Sequence, residues 1–323
     1  MDRNRDLLNV GTNALTSRYQ AALRNLVVTI TLGASLVEGS AHPSFGLIKT
    51  GEQTFVFCDV LHNAGTIWQF SERNGLSKLL VDEHCHFLFQ GADNSIWGTD
   101  HEYLPEKATN ENTLWKLSPE GEKQIVIPPT TESHLFSGVN FTVDRTGRIY
   151  YPFDRRIYHR LPNQVPTLFL DHQFGRIMSM QMDHNENLYV ADTYESGGSL
   201  FKISPEGVLE CLATDLKEKN PTNPPFPEDH FNLLFGIGVS PNGNAFVASS
   251  GGRKVTKIAP GKSPTTVFRS KSPWYPVAAL EENGILYVME AGYQSKKGNF
   301  GPRLLKVDQG KTNLIVSIET HTE

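Results

Sequence analysis

Cysteine is scarce: Cys58, Cys85 and Cys211 are the three in 323 residues. They are too few and too scattered for a disulfide framework or a zinc knuckle, so buried thiols are expected. Basic runs are absent as well, and the formal net charge is −5. A nucleic-acid surface needs a basic stripe with aromatics between, so no nucleic-acid partner is expected. The apolar stretch Leu26–Val37 falls short of the roughly 20 residues of a spanning helix, so no transmembrane span is expected. There is no nucleotide-binding glycine loop, no G-x-S-x-G, no H-E-x-x-H and no C-x-x-C, which removes the usual signatures of phosphate cradles, serine hydrolases, zincins and dithiol chemistry. The glycines of Glu195–Ser199 and Ser249–Gly252 read as loop turns, because no helix follows them.

What is present is one sentence written six times. Its clearest copy is Asp183–Val208: a polar turn, a strand at Leu188–Ala191, a loop, a strand at Ser199–Ile203, and a turn at Pro205–Gly207. The turn-plus-strand recurs from Gly51, Ala92, Thr146, His184, Pro241 and Glu282. A following strand recurs as TIWQF, TLWKL, RIYHRL, SLFKI, KVTKI and RLLKV. Periods of about 40–55 residues with four short strands each mark propeller blades. Helical periodicity is absent from the repeats. The fold class is therefore all-β, a six-bladed β-propeller of four-stranded antiparallel blades.

The blades span Pro43–Val81, Cys85–Ile127, Leu135–Leu170, Arg176–Ala213, Leu233–Phe268 and Tyr275–Ile318. Residues 42–323 form the propeller and residues 1–41 an N-terminal appendage. Within the appendage, Leu26–Val37 follows Arg18 and Arg24 and precedes Gly39-Ser40-Ala41, the pattern of an export signal. The long leader with Asp2 and Asp6 argues against export. A β-branched strand on an outer blade edge is the alternative, and both compartments stay open.

Alternating strands put all a–b turns on one face and the b–c loops and d–a connections on the other. The a–b turns read as tight. Long b–c loops at His101–Asn112 and Ala291–Pro302, neither expected to belong to a blade strand, and the connection Lys217–Asn232 mark the second face as the working one.

The strand D-x-x-G-N-x-Y-V-A-D followed by K-I-x-P-x-G is best seen at Asp183–Asp192 with Lys202–Gly207 and at Ser240–Ser249 with Lys257–Gly261. It resembles the NHL-repeat and gluconolactonase/regucalcin-like (calcium-dependent phosphotriesterase) propellers, among which are lactonases, phosphotriesterases, lyases and interaction modules. The resemblance implies a fold, and one fold hosts many functions. Amidating lyases of this type set converging histidines on the inner strands, and the matching positions here are Phe45, His86, Val139, Met178, Phe235 and Pro276. One histidine makes no zinc site. Regucalcin-type lactonases use Glu, Asn and Asp, where this chain has Ser44, Cys85, Gly138, Ile177, Leu234 and Tyr275. No cofactor is therefore assigned. A divalent metal held by a rearranged set with Asn140 or Glu83 stays open.

The axis end read from Phe45, Val139, Met178, Phe235, Trp274, Tyr275 and Pro276 is apolar, either as blade packing or as the wall of a small-molecule pocket. Asp59, Asp100, Asp192 and Glu290 close the second strand of four blades, as loop anchors or as polar contacts to a ligand. His86 with Asp100 or His101 makes a candidate acid/base pair. His42, His134 and His230 lie at the entrances of blades one, three and five, where solvated histidines are the default and a second metal set the alternative. The expected function is an enzyme acting on a small, partly apolar organic molecule by acid/base chemistry, as a hydrolase, lyase or isomerase/cyclase. The catalytic candidates are His86, Asp100 and His101, and the substrate-binding candidates are Phe45, Asn140, Met178, Asp192, Phe235, Trp274, Tyr275 and Glu290. The alternative is a non-catalytic scaffold that holds a partner protein or ligand through the same face.

Overall fold

A computed structural model describes residues 43–320, except 63, 219–231 and 295–297. The appendage 1–41, His42, His230 and most of the segment Lys217–Asn232 lie outside the described residues.

Six four-stranded antiparallel sheets form a ring, and each is built from four consecutive strands. Blade one holds β1 (Leu47–Gly51), β2 (Thr54–Asp59), β3 (Thr66–Ser71) and β4 (Gly75–Val81). Blade two holds β5 (Leu88–Gln90), β6 (Ile96–Leu104), β7 (Thr109–Leu117) and β8 (Lys123–Thr130). Blade three holds β9 (Thr142–Val143), β10 (Ile149–Phe153), β11 (Arg156–Arg160) and β12 (Thr167–Leu170). Blade four holds β13 (Ile177–Met182), β14 (Leu188–Asp192), β15 (Ser199–Ile203) and β16 (Leu209–Ala213). Blade five holds β17 (Leu234–Val239), β18 (Ala245–Ser249), β19 (Lys254–Ile258) and β20 (Thr265–Arg269). Blade six holds β21 (Trp274–Glu282), β22 (Ile285–Gln294), β23 (Gly298–Asp308) and β24 (Lys311–Ser317). Strand β1 packs against both β5 and β21, which closes the ring. Among the described residues no helix is long and apolar enough to cross a membrane.

The burial pattern explains the repeat. Second strands such as β14 (LYVAD) and β18 (AFVAS) are buried at every position, because neighbouring blades cover both faces of each sheet. A doubly covered strand reads as a continuous run of buried residues rather than as alternation. Outer strands are largely exposed, as in β24. The polar start of each copy is a turn device. Asp183 Oδ1 accepts the amides of Asn185 and Asn187 at 2.8 and 2.9 Å, and Asp144 Oδ1 accepts those of Thr146 and Arg148 at 2.9 Å each. Asx turns of this kind let the chain reverse without a long loop. Close approach also fixes one glycine: a Cβ on Gly238 of β17 would sit 2.1 Å from the Ala279 carbonyl oxygen of β21.

The two long b–c segments correct the sequence reading. His101–Asn112 is mostly strand, because β6 and β7 stay in register from His101↔Asn112 to Leu104↔Thr109. The described part of the second segment, Ala291–Gln294 and Gly298–Pro302, likewise continues β22 and β23, with Gly292↔Phe300 and Tyr293↔Asn299 paired. Both are two-stranded ribbons that run past the blade. The blade-two ribbon has no buried residue from Glu102 to Glu111, and the described buried positions of the blade-six ribbon are Ala291, Gly292, Gly301 and Pro302, so both have the composition of a loop.

Phe45 and Phe235 come from blades one and five, which are not neighbours in the ring, yet their ring centroids lie 6.2 Å apart. The contact therefore crosses the axis. Phe87 at 5.8 Å from Phe45, and Tyr275 at 6.4 Å from Phe235, extend it into an aromatic plug.

Candidate active site

Above the plug, the connection from β4 to β5 carries His84, Cys85 and His86. Three backbone bonds hold it: Cys85 N–H to the Glu83 carbonyl at 2.9 Å, His101 N–H to the His84 carbonyl at 3.0 Å, and Phe45 N–H to the His86 carbonyl at 2.9 Å. Asp100, at the top of blade two, accepts the His84 amide at 2.9 Å. The effect is to gather three imidazoles. The ring centroids of His84 and His86 are 4.9 Å apart, and those of His86 and His101 are 5.9 Å apart.

One of the three has a defined tautomer. Asn112 Oδ1 accepts the Gly138 amide at 2.9 Å, and a backbone N–H only donates. The same oxygen lies 2.6 Å from His101 Nδ1. His101 Nδ1 must therefore carry the proton, and in the neutral ring Nε2 keeps the lone pair. Burial holds the His101 pKa below the usual histidine value, against the opposing pull of Asn112 and of the Asp100 charge. Burial lowers His84 too, and repulsion from His101 adds to it. Near neutral pH these rings are bases, not cations.

All but one of the other candidates fall into three groups. Phe45, Phe235 and Tyr275 belong to the plug, where burial drives the Tyr275 hydroxyl far above the usual tyrosine range. Met178 and Asn140 lie on the inner edges of blades four and three, and Asn140 Oδ1 accepts the Met180 amide at 3.0 Å. Trp274 and Glu290 meet in blade six. There Arg303 donates to Glu290 Oε2 from both Nε and Nη2 at 2.6 Å, while its guanidinium stacks 3.8 Å from the Trp274 ring. Asp192 is different. It is fully buried, and its oxygens accept the amides of Gly175, Arg176, Tyr194 and Glu195, which ties the d–a connection to the b–c loop.

Asp59 behaves similarly, accepting from the Leu61 amide at 2.9 Å and pairing with His62 Nδ1 at 2.8 Å. That bond raises the His62 pKa above its usual value. Glu83 is paired with Lys123, and burial raises its pKa in spite of that pairing. His134 is exposed beside Glu132. Among the described residues no group of three or more His, Cys, Asp or Glu side chains is placed to hold a metal ion.

His84, Asn112 and Arg303 were missed in the sequence. His84 had a signal, since alternate residues of an extended chain share a side and His86 is two residues on. Asn112 and Arg303 become neighbours of His101 and Glu290 only through cross-strand register.

No family model matches the chain, and no curated protein is similar to it in sequence. Solved structures are similar in fold. A luciferin-regenerating enzyme superposes with a TM-score of 0.56 at 13% identity, over 87% of this chain and 96% of that one. A gluconolactonase from Xanthomonas campestris gives 0.56 at 14%, over 77% and 83%. A catalytically inactive histidine-to-alanine variant of virginiamycin B lyase from Staphylococcus aureus, determined with quinupristin, gives 0.51 at 11%, over 85% and 95%. The likeness is one of fold, and the fold of this chain is a six-bladed β-propeller.

Proposed function

We propose that the protein is an enzyme that acts on a small, partly apolar organic molecule by acid/base chemistry at the top of blade two. The observation that carries this reading is the pinned tautomer of His101. Its Nδ1–H is donated to Asn112 at 2.6 Å, so Nε2 is left to take a proton from substrate. The imidazolium so formed keeps both supports, the Asn112 oxygen at Nδ1–H and the nearby Asp100 charge. The same His101 imidazolium can return the proton to product or leaving group, with His84 and His86 beside it in the cluster. The plug gives an apolar floor, tied to the histidine connection by the Phe45 amide on the His86 carbonyl. Hydrolysis, elimination and isomerisation all need such a proton shuttle. The superposed lactonase and lyase structures are in keeping with an enzyme-like propeller.

A scaffold reading has one observation in its favour: Tyr103, at the end of the blade-two ribbon, is 58% exposed, as a partner-binding aromatic would be.

The test begins with a panel of lactones, esters and apolar aromatics assayed for turnover. On any compound turned over, kcat/KM should fall on the acid side as His101 protonates, below the usual histidine value. Asp100→Asn keeps an acceptor for the His84 amide but removes a charge that raises the His101 pKa. The acid limb should therefore move to lower pH in this variant. An unmoved limb would contradict the assignment of the base. Binding of a protein through the ribbon, with no turnover across the panel, would put the scaffold reading first.

A further inference from the structure

Below the plug the channel is open. A cavity of about 520 Å³ opens on the a–b turn face, opposite the histidines, and takes its wall from all six blades. Its size falls in the range of small-ligand pockets, ~300–1,000 Å³. The underside of the plug, Phe45 and Phe87, belongs to its lining, and Phe89, Val143, Met182 and Ile237 continue the apolar wall.

The rim has a sign. Five carboxylates, Asp144, Asp183, Glu186, Glu281 and Glu282, stand there against Lys49 and Arg145. Lys49 is paired with Glu282, and the Arg145 side chain donates to the His184 carbonyl. An anion entering this mouth meets like charge near low-dielectric walls, where repulsion is strengthened. A cation meets attraction at the rim and aromatic rings beyond it.

We propose that this cavity is a second ligand site, which binds an amphipathic cation with its apolar body against Phe45, Phe87, Phe89 and Met182 and its ammonium at the acidic rim. It lies on the other side of the plug from the proposed acid/base centre and does not depend on it.

The experiment is calorimetric titration of the full chain with 2-naphthylethylamine and with 2-naphthylacetate, which share an aromatic body and differ in charge. The amine should bind with one-to-one stoichiometry, at least roughly tenfold tighter than the acid, and the preference should shrink in high salt. The double variant Glu186→Gln, Glu281→Gln keeps acceptor oxygens for the Arg145 and Gly284 amides and lowers the rim charge. It should weaken the amine by roughly three- to tenfold. Met182→Trp should abolish binding by filling the space; if that variant does not fold, the rim variant decides alone. His101→Gln should leave amine affinity unchanged. Absence of amine binding, equal affinity for the acid, or a rim variant with unaltered preference would overturn the proposal.

Discussion

His101→Gln is expected to lower kcat on a confirmed substrate by roughly 10²–10⁴-fold, the range for loss of a positioned general base. KM should change far less. Glutamine is similar in reach and can still donate to Asn112 Oδ1, so the Gly138 amide keeps its partner and the hairpin keeps its register. What it lacks is a basic nitrogen. Stability measured beside activity separates the chemical effect from a structural one. The variant also removes a buried imidazole whose pKa is depressed in the folded chain. Such a group favours the folded state above the unfolded value near 6.5, and that contribution is lost as pH falls through the folded pKa. His101→Gln should therefore be less sensitive than the parent to acid as pH falls below the usual histidine value near 6.5. His62 works with the opposite sign, since its pKa is raised, but equally in parent and variant; His84, lowered by burial like His101, keeps part of the acid limb in the variant.

Arg303→Met should be the most damaging single change to stability. Glu290 is 0% exposed, and both of its ion-pair bonds come from Arg303. Methionine preserves cover over Trp274 while it strands the carboxylate. Breaking a buried pair from one side typically costs ~3–5 kcal/mol. The lower end is expected, about 3 kcal/mol, because the Arg303 side chain is 22% exposed and the Glu290 charge also acts on Arg253. Urea unfolding gives the number directly. Adding Glu290→Gln should recover much of the loss, since the two sites share one interaction. A single-variant loss below about 1 kcal/mol would mean that the pair is not a buried one in solution.

The blades were legible because burial on both faces leaves a strong local trace: apolar second strands, with Asp or Asn turns between them. The ribbons were not, since one has no buried residue from Glu102 to Glu111 and the described buried positions of the other are alanine, glycine and proline, so both take the composition of a loop. His101 and Asp100 stood out as chemistry-bearing types at a blade end. Asn112 did not, because its role depends on a pairing eleven residues away that polar sequence does not announce. Phe45 and Phe235 were readable as inner-strand apolar residues. Their contact across the axis depends on ring closure, which no single repeat encodes. The lower cavity arises in the same way, from the distance between six inner strands. Asp192 shows the ambiguity in reverse: its position suits a ligand contact equally well, and only the four amides around it reveal the anchor.

The central claim is that the top of blade two presents a neutral imidazole with its lone pair at Nε2. Long-range ¹⁵N–¹H correlation spectra of histidine-labelled protein at pH 7, with His101 assigned by comparison with His101→Gln, report it without need of a substrate. His101 is expected to show a protonated Nδ1 and a bare Nε2, which give way to the imidazolium only below the usual histidine pKa. A resonance pattern with the proton on Nε2, or an imidazolium already present at pH 7, would contradict it.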